Sequence, residues 1–149
     1  MRAVIQRVNN ASVTIENKIK SSINKGLLIF VGIEEADNLE DISWLSSKIT
    51  QLRIFDDLNG VMNLSVKDID GEVLIISQFT LYGETAKGKR PNFTDAAKPD
   101  EAIPLYKKFV SRVKTNLGDD KVKEGIFGAM MDVQLVNYGP VTVLVESNK

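Results

Sequence analysis

Apolar and polar residues alternate at the start of the chain, which is typical of a β-strand with one face in a protein core. In the segment RAVIQRV, Ala3, Ile5 and Arg7 share one face, and β-branched residues are frequent. The next segment, ASVTIENKIKSSI, predicts a hairpin that turns at residues 17–18. Residues 26–33 are apolar without interruption, which predicts a strand buried on both faces.

Two later segments have apolar residues at every third or fourth position, the period of an amphipathic helix. Residues 39–52 carry one such stripe, with Asp37 or Asn38 as the expected N-cap. A second helix is predicted over about residues 100–117, and Gly118 suits a C-terminal cap after it. Both helices are expected on one side of a sheet.

The remaining apolar runs predict strands. Residues 72–83, EVLIISQFTLYG, form one predicted strand, and residues 131–136 and 141–146 form two more, joined by NYGP. The order ββββ-α-β-α-ββ indicates an α+β fold with a mixed or antiparallel, partly closed, barrel-like sheet and two helices. Since the composition does not change along the chain, we expect a single domain over residues 1–149.

The composition narrows the chemistry that the chain can perform. It has no cysteine and no histidine, which excludes thiolate nucleophiles, Ser-His-Asp triads and the usual zinc motifs. It has no glycine-rich phosphate loop, and the acidic pairs at residues 34–35, 56–57 and 119–120 suit surface positions or helix ends. We therefore expect neither a metal nor a cofactor.

The net charge of −1 gives no sign of general nucleic-acid binding, so any contact with RNA must be local. A predicted loop over residues 84–100 holds the densest basic cluster, Lys87, Lys89 and Arg90, which are the candidate tRNA contacts. A plain solvated loop explains this cluster equally well. The chain shows no apolar segment of signal-peptide or membrane-spanning length, and we expect a cytosolic protein without a membrane partner.

The segment SQFTLYG turns polar directly after an apolar run, which a buried strand does not need. One interpretation is a strand end whose polar side chains face water. The other is a hydrolytic site in which backbone N–H groups stabilise an oxyanion. The Thr80 hydroxyl would need a neighbouring base to act as a nucleophile, and no lysine or carboxylate is close in sequence. For a hydrolytic site, the backbone is therefore the favoured catalyst.

The segment NYGPVT, residues 137–142, also has two interpretations. Asn, Gly and Pro together are typical of a plain hairpin turn. Alternatively, a rigid Gly139-Pro140 peptide would hold its carbonyl groups in a fixed direction and would select the stereochemistry of a substrate. The residues alone leave both interpretations open.

Several of these segments together resemble the bacterial D-aminoacyl-tRNA deacylase family. They are MRAVIQRV, SQFTLYG, KGKRPNF, GIFGAMMDV and NYGPVTV, and the resemblance extends from Met1 to about Glu146. The pairing of S-Q-F-T-L with N-x-G-P-x-T matches the D-selective class, since a related deacylase class carries P-Q-A-T-L instead. A member of this family is expected to be an ester hydrolase.

The resemblance implies hydrolysis of the ester between a D-amino acid, or glycine on mischarged tRNA, and the 3′-terminal adenosine of tRNA. It implies a homodimer with its active site at the subunit interface. Gly139-Pro140 of one subunit, in cis, would meet the substrate amino group in the other subunit and exclude an L side chain. Arg7 would hold this dipeptide, and Asn137 and Met130 match further positions of the substrate site.

For catalysis, the resemblance implies an oxyanion site made by N–H groups near Phe79 and Thr80, with Ser77 and Gln78 shaping the adenosine pocket. It also implies that the 2′-hydroxyl of the tRNA takes part, with the Thr80 hydroxyl as an alternative. Two other classes fit the same composition: a nucleic-acid-binding module without catalysis and a small oligomerisation domain. Cleavage of a tRNA ester separates the enzyme from both.

Overall fold

A computed structural model of the chain describes residues 1–147. In this part of the chain, two α-helices cover one face of a curved sheet. The elements are β1 (Arg2–Ile15), β2 (Lys18–Ile23), β3 (Gly26–Gly32), α1 (Leu39–Gln51), β4 (Phe55–Asp56), β5 (Met62–Leu64), β6 (Glu72–Ser77), α2 (Pro99–Leu117), β7 (Val122–Glu124) and β8 (Asp132–Glu146). β4 and β5 pair with each other, apart from the main sheet.

The main sheet contains both parallel and antiparallel pairs. β1 pairs antiparallel with β2, β3 and β8, whereas β6 pairs in parallel with β3 and β7. The strand order is β2-β1-β3-β6-β7, and the Ser21 hydroxyl on β2 donates a 2.7 Å hydrogen bond to the Glu124 carbonyl on β7. Because the two ends of the order meet, the sheet is a nearly closed barrel. The expected fold class is confirmed.

The central strands β3 and β6 are buried on both faces, as the unbroken apolar run of β3 predicts. On one face, Leu27 and Ile75 pack in a cluster with Leu45 of α1 and Phe109 of α2. On the opposite face, Leu28 belongs to a second cluster that is formed by strand residues. The helices therefore close one side of the sheet, and side chains fill the barrel interior.

A capping box begins α1, and a glycine ends α2. The Asn38 side chain accepts a 2.8 Å hydrogen bond from the Glu40 N–H, and the Asp41 carboxylate accepts one of 3.0 Å from the Asn38 N–H, which completes a capping box. Gly118 ends α2 at φ +106°, a backbone conformation that favours glycine. Both predicted helices are confirmed, each with one end displaced by one residue.

The predicted strand over residues 72–83 is wrong in its second half. β6 ends at Ser77, and Phe79–Tyr82 form a short 3-10 turn. The Gln78 N–H still bonds to β3 at 2.8 Å, but the Leu81 N–H bonds to the Gln78 carbonyl at 3.2 Å, which is a local contact. The polar residues therefore mark the point where the chain leaves the sheet.

The two predicted C-terminal strands are a single strand, β8, with a bulge. Gln6 of β1 pairs with Thr142, and Val8 pairs with Asn137, so residues 138–141 lie opposite a single residue of β1. A local turn signal cannot show that both flanks pair with the same neighbour. Residues 138–141, in the middle of NYGPVT, therefore project from β8 as a bulge.

Smaller differences concern short elements. The β1–β2 hairpin turns at Glu16 and Asn17, which both have positive φ, so the turn comes one residue earlier than expected. The sequence pattern does not predict β4, β5 or β7, because two or three residues are too few to show a period. No helix within residues 1–147 is both long enough and apolar enough to cross a membrane.

Candidate active site

A pocket of about 610 Å³ opens where β6 ends. Ser77, Gln78 and Phe79 line it from the end of β6, Phe93 from the loop before α2, and Met130 from the segment before β8. The rest of the lining is mostly apolar or small, and includes Val31, Ile33, Ile76, Ala96, Ala97, Phe127 and Met131. Four of the predicted site residues therefore meet in one pocket.

Two aromatic rings contact each other at the edge of this pocket. The centroids of the Phe79 and Phe93 rings are 5.3 Å apart, with the planes inclined at 74°. Gly83 makes room for this pair, because a Cβ atom there would lie 2.8 Å from the Phe93 ring. Phe79 is 56% exposed, so the pair forms a wall that a ligand can reach from solvent.

The turn after β6 begins with two backbone N–H groups, and the first belongs to Phe79, which lines the pocket. The first N–H groups of a helical turn have no carbonyl within the turn to bond, and here they belong to Phe79 and Thr80. None of the hydrogen bonds described within residues 1–147 uses either group as its donor. These two N–H groups are therefore available to a ligand, and donors of this kind stabilise an oxyanion.

The Thr80 hydroxyl contacts an amide. Its oxygen accepts a hydrogen bond from the side-chain NH₂ of Gln78. An amide does not remove a proton at neutral pH, so this contact orients the hydroxyl without activating it. Thr80 is not among the residues that line the pocket, which applies to its hydroxyl and its N–H group alike. The contacts at this turn thus favour the backbone over the hydroxyl.

Arg2 and Tyr82 support the turn from the side of the barrel. Arg2 Nη1 donates a 2.6 Å hydrogen bond to the Leu81 carbonyl, and its guanidinium carbon lies 4.7 Å from the Tyr82 ring centroid. Burial raises the pKa of Tyr82, and the negative charges of Asp37 and Glu34 raise it further, so the phenol stays protonated at neutral pH. Sequence reasoning missed Arg2, because its partner is 79 residues away.

The bulge of β8 exposes Gly139 and Pro140, and the peptide between them is cis. Arg7 packs against this bulge: its Nε donates a 3.0 Å hydrogen bond to the Tyr138 carbonyl, and its guanidinium carbon lies 4.5 Å from the Tyr138 ring centroid. Gly139 has φ +115°, and a Cβ atom there would overlap the Arg7 guanidinium. Both facts make glycine the residue that fits this position.

Arg7 is held in turn by the segment around β4. Its Nη1 donates a 2.7 Å hydrogen bond to the Ile54 carbonyl and lies 3.3 Å from an Asp56 carboxylate oxygen. Arg7 is only 4% exposed, and these acceptors satisfy its buried charge. Sequence reasoning missed both partners, since they are 47 and 49 residues from Arg7 and carry no motif.

A small network of side-chain hydrogen bonds joins the two ends of the bulge. The Thr142 hydroxyl donates a 2.5 Å hydrogen bond to the Gln6 side-chain oxygen, and the Asn137 side-chain NH₂ donates to the same oxygen at 3.0 Å. The Asn137 NH₂ also lies 3.3 Å from the Thr142 hydroxyl. This network explains why Asn and Thr flank the Gly-Pro pair, and it adds Gln6 to the site.

Within one chain, the two groups of predicted site residues do not share a pocket. Among the described residues that line the pocket, Arg7, Asn137, Gly139 and Pro140 are absent. They belong to the bulge of β8 and its support, whereas the residues after β6 form the pocket. The chain therefore presents two half-sites.

The predicted tRNA contacts lie on an exposed loop. Lys87, Lys89 and Arg90 are all exposed, and Glu84 and Asn92 pair across the base of the loop with hydrogen bonds of 2.7 and 3.0 Å. The loop continues directly into Phe93, which lines the pocket. The basic cluster is thus connected to one wall of the pocket.

Comparison with known proteins places the chain among the hydrolases that act on ester bonds. A sequence model of the family described as D-Tyr-tRNA(Tyr) deacylase matches residues 4–146. Proteins named D-aminoacyl-tRNA deacylase from Flavobacterium psychrophilum and Parabacteroides distasonis are 62% and 56% identical to the chain, and each match covers 99% of this chain and 97% of the relative. The chain belongs to the D-Tyr-tRNA(Tyr) deacylase family, which confirms the resemblance.

Two solved structures share the fold of the chain. The c-Myc DNA unwinding element binding protein superposes with a TM-score of 0.96 at 37% identity, and the match covers the whole of both chains. A probable eukaryotic D-amino acid tRNA deacylase superposes with a TM-score of 0.83 at 18% identity, covering 97% of this chain and 98% of that chain. The second match supports the fold alone.

Proposed function

We propose that the chain hydrolyses the ester bond between a D-amino acid and the 3′-terminal adenosine of tRNA, and that it also accepts glycine on mischarged tRNA. The observation that carries this proposal is the pocket at the end of β6, where Ser77, Gln78 and Met130 surround a space beside two available N–H groups. The curated relatives that carry the name D-aminoacyl-tRNA deacylase match nearly the whole chain.

In the proposed reaction, the pocket holds the terminal adenosine and places the ester carbonyl at the turn after β6. Water attacks the carbonyl carbon, and the resulting oxyanion accepts hydrogen bonds from the Phe79 and Thr80 N–H groups. The bond between the acyl carbon and the ribose 3′-oxygen then breaks, the amino acid leaves as its acid, and the 3′-oxygen takes up a proton. The neighbouring 2′-hydroxyl relays this proton, which suits a chain without histidine or cysteine.

Rejection of L-amino acids is proposed to come from Gly139-Pro140. Carbonyl groups of this dipeptide would accept hydrogen bonds from the substrate amino group and occupy the space that an L side chain needs. Glycine has no side chain and passes this filter. The contact of Arg7 with the Tyr138 carbonyl supports the proposal, because a filter of this kind requires a fixed geometry.

We propose that this dipeptide comes from a second copy of the chain, so that the active site forms at the interface of a homodimer. Gly139 and Pro140 are exposed and lie outside the pocket lining of their own chain. Val136 and Leu144 flank the bulge and are 50% and 59% exposed, which is apolar surface that a second copy would cover. The dimer would thus join the two half-sites.

The remaining parts of the proposal concern the setting of the reaction. Lys87, Lys89 and Arg90 would contact phosphates of the acceptor end, as their exposure on the loop beside Phe93 supports. Residues 1–149 would act as one deacylase domain in the cytoplasm, without a metal or a cofactor.

Two variants of one residue test the backbone mechanism. Thr80→Ala keeps the N–H group and removes the hydroxyl, so we expect most of the deacylase activity to remain. Thr80→Pro removes the N–H group, and loss of one oxyanion donor should lower kcat by about 10²–10³. Circular dichroism and tRNA binding serve as controls for folding. An inactive Thr80→Ala variant that still folds and binds tRNA would contradict the mechanism.

A further inference from the structure

A second concave surface lies where β2 meets β7 under α2. This groove of about 460 Å³ is lined by four lysines, Lys20, Lys107, Lys114 and Lys123. Glu124 is the one carboxylate among the described residues of its lining, so its side chains carry a net charge of +3. We call this surface the lysine groove.

The lysine groove stands out because the chain as a whole carries a net charge of −1. Glu124 lies 3.3 Å from Lys114 and partly neutralises that lysine. Lys20 and Lys107 are exposed and Lys123 is partly buried, so at least the first two ammonium groups can reach a ligand. Lysines gathered on one concave surface bind a polyanion, because each phosphate that they neutralise releases a counterion.

The lysine groove borders the pocket at the end of β6. Phe127 lines both surfaces, and its ring packs against Tyr106 with the centroids 5.6 Å apart. The hydroxyl of Tyr106 donates a 3.2 Å hydrogen bond to the Ile75 carbonyl of β6, which fixes the wall between them. A chain that leaves the pocket past Phe127 therefore enters the lysine groove.

We propose that the lysine groove binds the sugar-phosphate backbone of the tRNA acceptor end that precedes the terminal adenosine. This inference rests on the proposed function, since it takes the adenosine to lie in the pocket. The exposed loop that carries Lys87, Lys89 and Arg90 adjoins the pocket through Phe93, whereas the lysine groove adjoins the pocket through Phe127. The two surfaces therefore border different parts of the pocket wall. An RNA strand carries one phosphate per nucleotide, which matches four separate lysines better than a single anion does.

The double variant Lys107→Gln/Lys123→Gln tests the lysine groove, and Lys48→Gln/Lys67→Gln is the matched control. Both remove two positive charges, but Lys48 and Lys67 are exposed outside the groove and the pocket. The dissociation constant of uncharged tRNA is measured against salt by fluorescence anisotropy, and hydrolysis is measured on D-tyrosyl-tRNA and on 3′-O-D-tyrosyl-adenosine. The short ester has no phosphate backbone.

We expect the groove variant to lose about two units of the slope of log affinity against log salt. Between about 50 and 200 mM salt, the wild type should therefore weaken about 16-fold more than the groove variant does. Hydrolysis of D-tyrosyl-adenosine should stay at the wild-type rate, whereas KM for D-tyrosyl-tRNA should rise. The control variant should keep the wild-type slope.

The inference would be overturned by an unchanged salt slope in the groove variant, by an equal change in the control, or by equal loss of activity on the short ester. Displacement of tRNA by polyglutamate at the same charge concentration would also overturn it, because the groove would then be a general polyanion site. A failure of the proposed function would give a different result, because the wild type would then leave D-tyrosyl-tRNA intact. The salt dependence of tRNA binding would still show whether the lysine groove contacts the tRNA.

Discussion

Gly139 offers a sharp test of how the bulge of β8 is held. Gly139→Ala adds a single methyl group at a position with φ +115°, where the new Cβ would overlap the Arg7 guanidinium. Gly60→Ala is the matched control, because Gly60 has φ +75° and nothing within 4 Å of its added Cβ. Both variants carry the backbone cost, and only Gly139→Ala displaces a neighbour.

The difference between the two variants can be estimated from the contacts. A non-glycine residue at positive φ costs about 1–2 kcal/mol, and both variants carry a cost of this kind. Arg7 is buried and bonded to the carbonyls of Tyr138 and Ile54, so moving its guanidinium breaks at least one charged hydrogen bond, worth about 1.5–3 kcal/mol. Gly139→Ala should therefore destabilise the protein by about 1.5–3 kcal/mol more than Gly60→Ala does.

Urea unfolding at one fixed protein concentration measures these free energies, since an assembled state would make stability depend on concentration. Deacylation of D-tyrosyl-tRNA gives the functional effect: a shift of the dipeptide by about 1 Å should cost about 10²-fold in Gly139→Ala, with Gly60→Ala close to wild type. In an Arg7→Ala background, the extra cost of Gly139→Ala should disappear. Equal costs for Gly139→Ala in both backgrounds would refute the reasoning.

Two further predictions concern assembly and pH. Gly139→Trp blocks the proposed filter and Ser77→Trp fills the pocket, so each variant alone should be inactive. An equal mixture of the two variants should recover about a quarter of the wild-type activity. In the proposed dimer, half of the assemblies would be mixed, and each mixed dimer would have one of its two sites intact. No recovery after subunit exchange would exclude a shared site. Burial raises the pKa of Tyr106 above the ordinary tyrosine value near 10. The protonated Tyr106 side chain therefore contributes its full stability below about pH 10, and this contribution is lost as the pH rises above 10. Tyr106→Phe should therefore flatten the fall in unfolding free energy above about pH 10, by at most about 1.4 kcal/mol per pH unit, and an unchanged slope in urea titrations would contradict this.

The sequence predicts the parts of the fold that depend on local pattern. The apolar run of β3 predicts its double burial, and the capping residue Asn38 predicts the start of α1, because both signals lie within a few residues of the element itself. The end of β6 is different, since a polar strand end and a 3-10 turn have the same composition. The bulge of β8 depends on pairing with β1, which is more than 130 residues away.

The candidate site divides in the same way. Ser77, Gln78 and Phe79 line the pocket together because one motif carries them around the end of a single strand, whereas Met130 reaches the same pocket from the segment before β8. The supports of Arg7 were not predictable, since Asp56 lies in an acidic pair that resembles ordinary surface. The separation of the pocket from Gly139 is a property of the tertiary structure, and no residue pattern expresses it.

Chiral selection in ester hydrolysis is the central claim, and one measurement tests it most directly. Purified protein is incubated with D-tyrosyl-tRNA, L-tyrosyl-tRNA and glycyl-tRNA, and the surviving ester is followed with time. We expect rapid loss of the D ester, measurable loss of the glycyl ester and spontaneous hydrolysis alone for the L ester. Equal stability of the D and L esters would contradict ester hydrolysis by the chain, and equal rapid cleavage of both would show that the Gly139-Pro140 dipeptide is not a stereochemical filter.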